Sequence, residues 1–82
     1  MNPITTSKGV VHDPSPENVR ELLKHARKRL ELTRHQLRNP WMFEAPAGTV
    51  FMFAHYKCGG GSLCISTVAW YNPSLGMWLP ML

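Results

Sequence analysis

A chain of 82 residues with a net charge of +4 is the length of one domain, residues 1–82, and buries only about 60–65% of its unfolded surface, so its stability margin is thin. Its two cysteines are too few for a disulfide scaffold, although one bridge remains open. The opening MNPITTSKGVVHDPSP lacks the apolar core of a secretory signal, and no run of about 18 apolar residues is present to span a membrane, so a reduced, cytoplasmic protein without a membrane partner is expected.

Charge and aromaticity divide the chain. Residues 1–39 hold eight of the nine Lys and Arg and four of the five acids, whereas from residue 40 onward only Glu44 and Lys57 are charged. All eight aromatic residues lie in that second part: Trp41, Phe43, Phe51, Phe53, Tyr56, Trp70, Tyr71 and Trp78. A basic front is joined to an aromatic, nearly uncharged back, with no internal repeat and no low-complexity tract.

In chain order, residues 1–14 read as an irregular arm, with Pro3, Gly9 and Pro14 among scattered Ser and Thr and no periodicity. A helix start follows. Ser15 is a capping residue, Pro16 suits the first helical position, and Glu17 favours the positive end of the helix dipole. Val19, Leu22, Leu23, Ala26, Leu30 and Leu37 recur at helical spacing as one apolar stripe. Arg20, Lys24, Arg27, Lys28, Arg34 and Arg38 fall mostly on the other side, and Asn39-Pro40 ends the run. Leu32 breaks this pattern, roughly 200° round from Leu30 on the polar side. Either one helix runs over about 16–38 and exposes a leucine, or the chain breaks near Glu31 and Thr33-x-x-Gln36 caps a new short helix. The single helix is preferred because helix formers run through the join. His25 and His35 then sit four residues after Glu21 and Glu31 as exposed partners.

After Pro40 the period becomes that of a strand. WMFEA, TVFMFAHYK, SLCISTVAWY and MWLPML are rich in β-formers and are separated by PAG, CGGG and NPSLG. Short connections predict an antiparallel meander over about 41–81, with Pro80 marking an edge strand. The expected fold is α+β: an N-terminal helical region packed on three or four antiparallel strands.

The stretch HYKCGGGSLC, residues 55–64, admits several readings. Three glycines accept the positive φ of a tight hairpin tip, which makes it first of all a turn. A phosphate loop would run into a helix through Lys-Ser/Thr, and this one runs into a strand. His55, Cys58 and Cys64 are the metal-ligand candidates, but they lack the paired units of structural zinc, and no metal or other cofactor is expected. A bridge needs Cys58 and Cys64 to face each other across a five-residue loop; with Cys58 opposite Leu63 they do not meet, and two free, half-buried cysteines result. No carboxylate pair or catalytic motif is present, so a non-catalytic protein is expected.

The strand TVFMFAHYK carries Val50, Met52, Ala54 and Tyr56 on one face and Phe51, Phe53, His55 and Lys57 on the other. If Tyr56 opposes Ile65, the first face gains Ile65, Ala69 and Tyr71, and the second gains Cys64, Val68 and Trp70. Both faces are then apolar, whereas one amphipathic helix covers only one. Leaving two phenylalanines and a tryptophan wet forgoes several kcal/mol at about 25 cal/mol per Å2. The N-terminal arm, a second copy in a homodimer or a partner should cover the second face. Phe51, Phe53, Trp70 and Trp78 are the expected hot spots.

Residues 15–37, PSPENVRELLKHARKRLELTRHQL from Pro14 onward, resemble the opening of phage repressor and Cro-type helix-turn-helix regulators. Val19, Leu22 and Leu23 match the first helix, Leu32-Thr33 the step, and Leu37 the second helix. The resemblance implies a phage or mobile-element origin. Where that family carries its recognition helix this chain has NPWMFEAPAG, with two prolines, so no major-groove reader is expected. The profile looks like that of small phage-encoded inhibitors of host machinery. The expected function is therefore an interaction protein, acting in the host cytoplasm, that docks on a protein or protein–nucleic acid complex and inhibits or modulates it sterically. Arg20, Lys24, Arg27, Lys28, Arg34 and Arg38 would steer it towards an acidic surface. The alternative is direct nucleic-acid binding through the same basic face.

Overall fold

The computed structural model describes residues 4–6 and 9–82. Six residues of the expected irregular arm instead pair as strands: β1 (Ile4–Thr6) and β2 (Gly9–Val11) form an antiparallel pair in which Ile4 opposes Val11. Residues 1–3, 7 and 8 of that arm lie outside the described residues. The β-branched residues on both sides of Gly9 explain the pairing, and Val11 carries it into the core.

Helix α1 (Pro16–Leu30) begins as the sequence indicates. The Ser15 Oγ accepts a hydrogen bond from the Asn18 N–H at 3.1 Å, Pro16 occupies the first turn, and Glu17 lies beside the positive end of the dipole. It ends earlier than the expected run to Arg38. Glu31 turns to φ 57°, its N–H bonds the Lys28 carbonyl at 3.3 Å, and the Leu32 N–H bonds the Arg27 carbonyl at 2.8 Å. This is a Schellman closure made with a glutamate, and its apolar second residue is Leu32, which packs against the core. The leucine that broke the helical pattern is thus the hydrophobic stop of the helix. Residues 32–37 then form a turn, not a second helix: the Gln36 N–H bonds the Thr33 carbonyl at 3.1 Å while the Gln36 Oε1 accepts from the Thr33 N–H at 3.0 Å. Leu37 is in the core as expected, but it reaches it from this turn, at φ 60° and almost fully buried. Arg34 and Arg38 therefore leave the helical face, and His35 is no longer one helical turn beyond Glu31.

The meander follows the expected segments closely: β3 (Arg38–Glu44), β4 (Val50–Lys57), β5 (Leu63–Asn72) and β6 (Met77–Pro80), paired antiparallel in that order. Together with α1 and the β1–β2 pair this is an α+β fold with the helix in the first half of the chain, between the two sheets. Asn72 closes the last hairpin, its side-chain oxygen accepting from the Ser74 and Leu75 N–H groups at 3.0 and 3.2 Å.

Register differs from the expected one by a single residue at one end of β5. Tyr56 opposes Cys64 and His55 opposes Ile65, and a bulge between Met52 and Phe53 shifts the pairing before Ala69 meets Met52. Cys64 therefore joins the inner face and Ile65 the outer. Val68, in the bulge, turns inward and is fully buried. Tyr71 and Ala69 are on the inner face and Trp70, opposite Phe51, on the outer, as expected.

One core lies between α1 and the inner face of the sheet. Leu22, Leu23 and Ala26 of the helix meet Val50, Met52, Ala54, Val68, Ala69 and Trp78, with Leu37 and Val11 closing two sides. Trp78 belongs to this core and is 3% exposed, contrary to its expected place on a docking surface. It opposes Tyr71 on the inner side, stacks edge-on against that ring at 5.5 Å between centroids, and donates its indole N–H to the His12 carbonyl at 3.2 Å. Leu79, the next residue, opposes Trp70 on the outer face.

Two arginines of α1 hold the molecule together. Arg27 turns inward and donates to the Gln36 carbonyl at 2.7 Å and the Leu37 carbonyl at 3.2 Å, fixing the strained turn. Arg29 donates to the Thr67 carbonyl at 2.7 Å and the Met81 carbonyl at 2.9 Å, and ties the helix to β5 and the C-terminal segment. Arg27→Ala should lower the urea midpoint by the equivalent of about 1–2 kcal/mol, because two carbonyls lose a charged donor. Arg20→Ala, which loses only an exposed 3.7 Å contact with Glu17, should stay within about 0.5 kcal/mol of the wild type.

Candidate functional site

Alternation along β4 decides which side chains face away from the helix. Val50, Met52 and Ala54 are buried, while Phe51 and Phe53 are half-buried and His55 and Lys57 exposed. Pairing extends this outer face across the sheet: Phe53 opposes Trp41, Phe51 opposes Phe43 and Trp70, and His55 opposes Ile65. Phe53 is the centre of a ring cluster. Its centroid lies 6.0 Å from Trp41, 6.0 Å from Phe43 and 6.1 Å from Phe51 at three different tilts, and Trp41 stacks on His55 at 4.7 Å. Ring pairs at these separations attract beyond their area burial, which holds the cluster in one arrangement. Phe43 remains 51% exposed, Ile65 58% and Leu63 65%. Trp41, Phe43, Phe53 and Ile65 surround a shallow apolar hollow of about 250 Å3.

The two ends of this face differ. At the Lys57 end, the Gln36 side-chain amide donates to the Lys57 carbonyl at 3.2 Å and docks the 32–37 turn against β4. His35 and Arg38 are thereby brought beside His55 and Lys57, and the four line a groove of about 580 Å3. Arg38 and Lys57 both line it and bring positive charge there; behind the turn, burial lowers the pKa of Arg27 from its ordinary value, and the neighbouring Arg38 charge lowers it further. Among the described residues, no carboxylate lines the groove.

The expected residues are thus divided among three places. Phe51, Phe53 and Trp70 stand on the outer face; Trp78 does not. Of the basic set, Arg20, Lys24 and Lys28 form an exposed stripe on the side of α1 that faces away from the sheet, Arg27 is committed to the turn, and Arg38 joins the outer face opposite His55. Arg34 is exposed in the turn. The aromatic and helical basic surfaces therefore point in opposite directions, and one flat partner cannot touch both.

Cys58 and Cys64 are bonded to each other, with their Cα atoms 5.9 Å apart. The Cys58 N–H bonds the Ser62 carbonyl at 3.0 Å, and Gly60 and Gly61, at φ 73° and 78°, let the loop reverse. The expectation of two free cysteines failed because Cys64 is two places beyond Ser62 and opposite Tyr56, diagonal to Cys58 on the same side. The bond removes both sulfurs from the metal-ligand candidates, and His55 lies on the opposite face against Trp41. Among the described residues no cluster of three or more metal-binding side chains is present, and no helix is long and apolar enough to cross a membrane.

No family model, curated protein or solved structure matches the chain. No relative's function can therefore be carried over to it.

The sequence did not point to Trp41, Phe43 and Ile65. The first two were legible: W-M-F-E alternates, and the APAG turn aligns it with β4. Ile65 depended on the register and could not be placed from the pattern alone.

Proposed function

We propose that the chain is a small non-catalytic interaction protein that seats a macromolecular partner on the outer face of its sheet and acts by covering the partner's surface. The observation that carries this reading is the ring cluster around Phe53, which stays partly exposed among the described residues because α1 packs on the inner face. A domain with so little stability to spare does not gain by leaving Phe43, Ile65 and Leu63 in water. The composition is that of an interface centre, with aromatics in the middle and Arg and Lys at the border. Steric blockade of a host complex, expected from the size and the phage-like profile, is the mode of action that such a surface serves. The cytoplasmic location expected from the sequence goes with this reading if the face survives loss of the Cys58–Cys64 bond, which such a compartment would reduce.

A photo-reactive phenylalanine analogue at position 53, in cells that encode the protein, should give a discrete covalent adduct. The same analogue at Lys24, on the outward side of α1, should give none. Phe43→Glu should abolish the adduct while leaving circular dichroism and melting temperature within a few degrees of the wild type. Equal labelling from both positions, or none from position 53, would remove the docking face from the proposal.

A further inference from the structure

Resting on that docking reading, we propose that the occupant of the outer face is a single-stranded nucleic acid. Its bases would stack on the Phe53 cluster, and its phosphates would follow the groove lined by His35, Arg38, His55 and Lys57.

The first support is charge. All five acids of the chain can be placed, and none is on this face. Asp13 precedes α1, Glu17 and Glu21 are on it, Glu31 caps it, and Glu44 alternates to the inner side opposite Val50. The face therefore offers Arg38, Lys57 and two imidazoles to an anion with no carboxylate to oppose it. A second copy would bring only the same cations and the same rings, leaving Arg38 and Lys57 without a counter-charge. The second support is continuity. His55 lines the basic groove and stacks on Trp41, which lines the ring hollow, so charge and aromatic surface form one track and not two patches.

The third support is chemical. An acidic polypeptide supplies negative charge but no regular series of flat π-surfaces. A single strand supplies both at every step, and binding folds that accept it without sequence preference combine a cationic groove with rings on which bases stack. The rings around Phe53 stand 6.0–6.1 Å apart, so bases seated on successive rings would be splayed out of the roughly 3.4 Å helical stack, as an unpaired strand allows. A duplex hides its base faces, and α1 has committed its inner side to the core, so this surface selects unpaired strands. The basic helical stripe, the sequence-based candidate for the same ligand, is not needed.

The test is fluorescence titration with a mixed-sequence DNA single strand of about 15 nucleotides, the span of one sheet-based site. Binding should quench the fluorescence of Trp41 and Trp70. It should weaken about tenfold between roughly 50 and 200 mM salt, the dependence of a few phosphate contacts. Phe53→Ala should weaken it about tenfold or more, and Phe53→Leu, which keeps apolar bulk without a ring, should do the same in a chain that folds normally. Lys57→Gln should weaken binding and flatten the salt dependence. The corresponding duplex should bind more weakly than the single strand.

Several outcomes overturn the inference. Absence of binding at low salt does so outright. So does binding that polyphosphate matches, without quenching and unchanged in Phe53→Leu, since charge alone would then explain it. A dimer that Phe53→Glu dissociates would make a second copy the occupant. A protein adduct from position 53 together with no oligonucleotide binding would refute the nucleic acid while leaving the docking reading intact.

Discussion

Replacing Trp78 with alanine is expected to leave much of the chain unfolded at physiological temperature. Removing a buried tryptophan costs about 3–5 kcal/mol through lost transfer energy and the cavity left behind. A domain of this size has as little as ~5 kcal/mol in total. Trp78 also joins separate parts of the chain: its ring meets Tyr71 across β5 and β6, and its N–H holds the His12 carbonyl that links the β1–β2 pair to α1. Trp78→Phe should recover most of the stability but not that hydrogen bond, which contributes about 1 kcal/mol. Trp70→Ala is the comparison. Its ring is half-buried on the outer face, and its loss should cost about 1 kcal/mol. Urea denaturation followed by circular dichroism separates the three. Equal midpoints for Trp78→Ala and Trp70→Ala would place Trp78 outside the core.

Most of the architecture was legible in the residues because local rules and global packing agree. Ser15, Pro16 and Glu17 mark the helix start by three independent effects, and the structure uses all of them. The four strands follow β-branched and aromatic runs cut by Pro, Gly and Asn, and each turn is where those residues stand. Even Leu37 was identified as core, although from the wrong element: an apolar residue of this size is buried whether it arrives on a helix or on a turn, and periodicity alone does not distinguish the two.

What escaped the sequence has a common cause, a backbone conformation that its residues do not advertise. A left-handed helix end is normally announced by glycine, and Glu31 is not one; Leu37 and Asn39 adopt the same positive φ soon after. The sign that was present was indirect, the misplaced Leu32. The bulge between Met52 and Phe53 is equally silent, and one residue of slip exchanged Ile65 with Cys64 across the sheet. That exchange extended the ring cluster with Ile65 and brought Cys64 to the side of Cys58. The two apolar faces of the sheet, with α1 on one of them, follow from the alternation within β4 and not from the register between strands.

Reduction of Cys58–Cys64 should lower the melting temperature by roughly 10 °C without removing the outer face. Closing so short a loop takes about 2 kcal/mol of freedom from the unfolded chain, and in a domain of this length each kcal/mol moves the midpoint by about 4–8 °C. The native sheet loses little, because the loop is also held by the Cys58 N–H to the Ser62 carbonyl and by the Lys57–Leu63 pairing. The bond lies at one end of the sheet on the helix side, opposite Tyr56, whereas Phe53, Trp41 and Phe43 lie on the other side. A thermal melt with and without dithiothreitol, repeated on Cys58→Ser/Cys64→Ser, should therefore show a lower midpoint with the same cooperativity and an unchanged tryptophan emission maximum. That outcome would leave the docking face usable in a reducing compartment, at a stability of only a few kcal/mol. A shifted emission maximum on reduction would instead mean that the bond supports the ring cluster itself, and the protein would then have to act where disulfides persist.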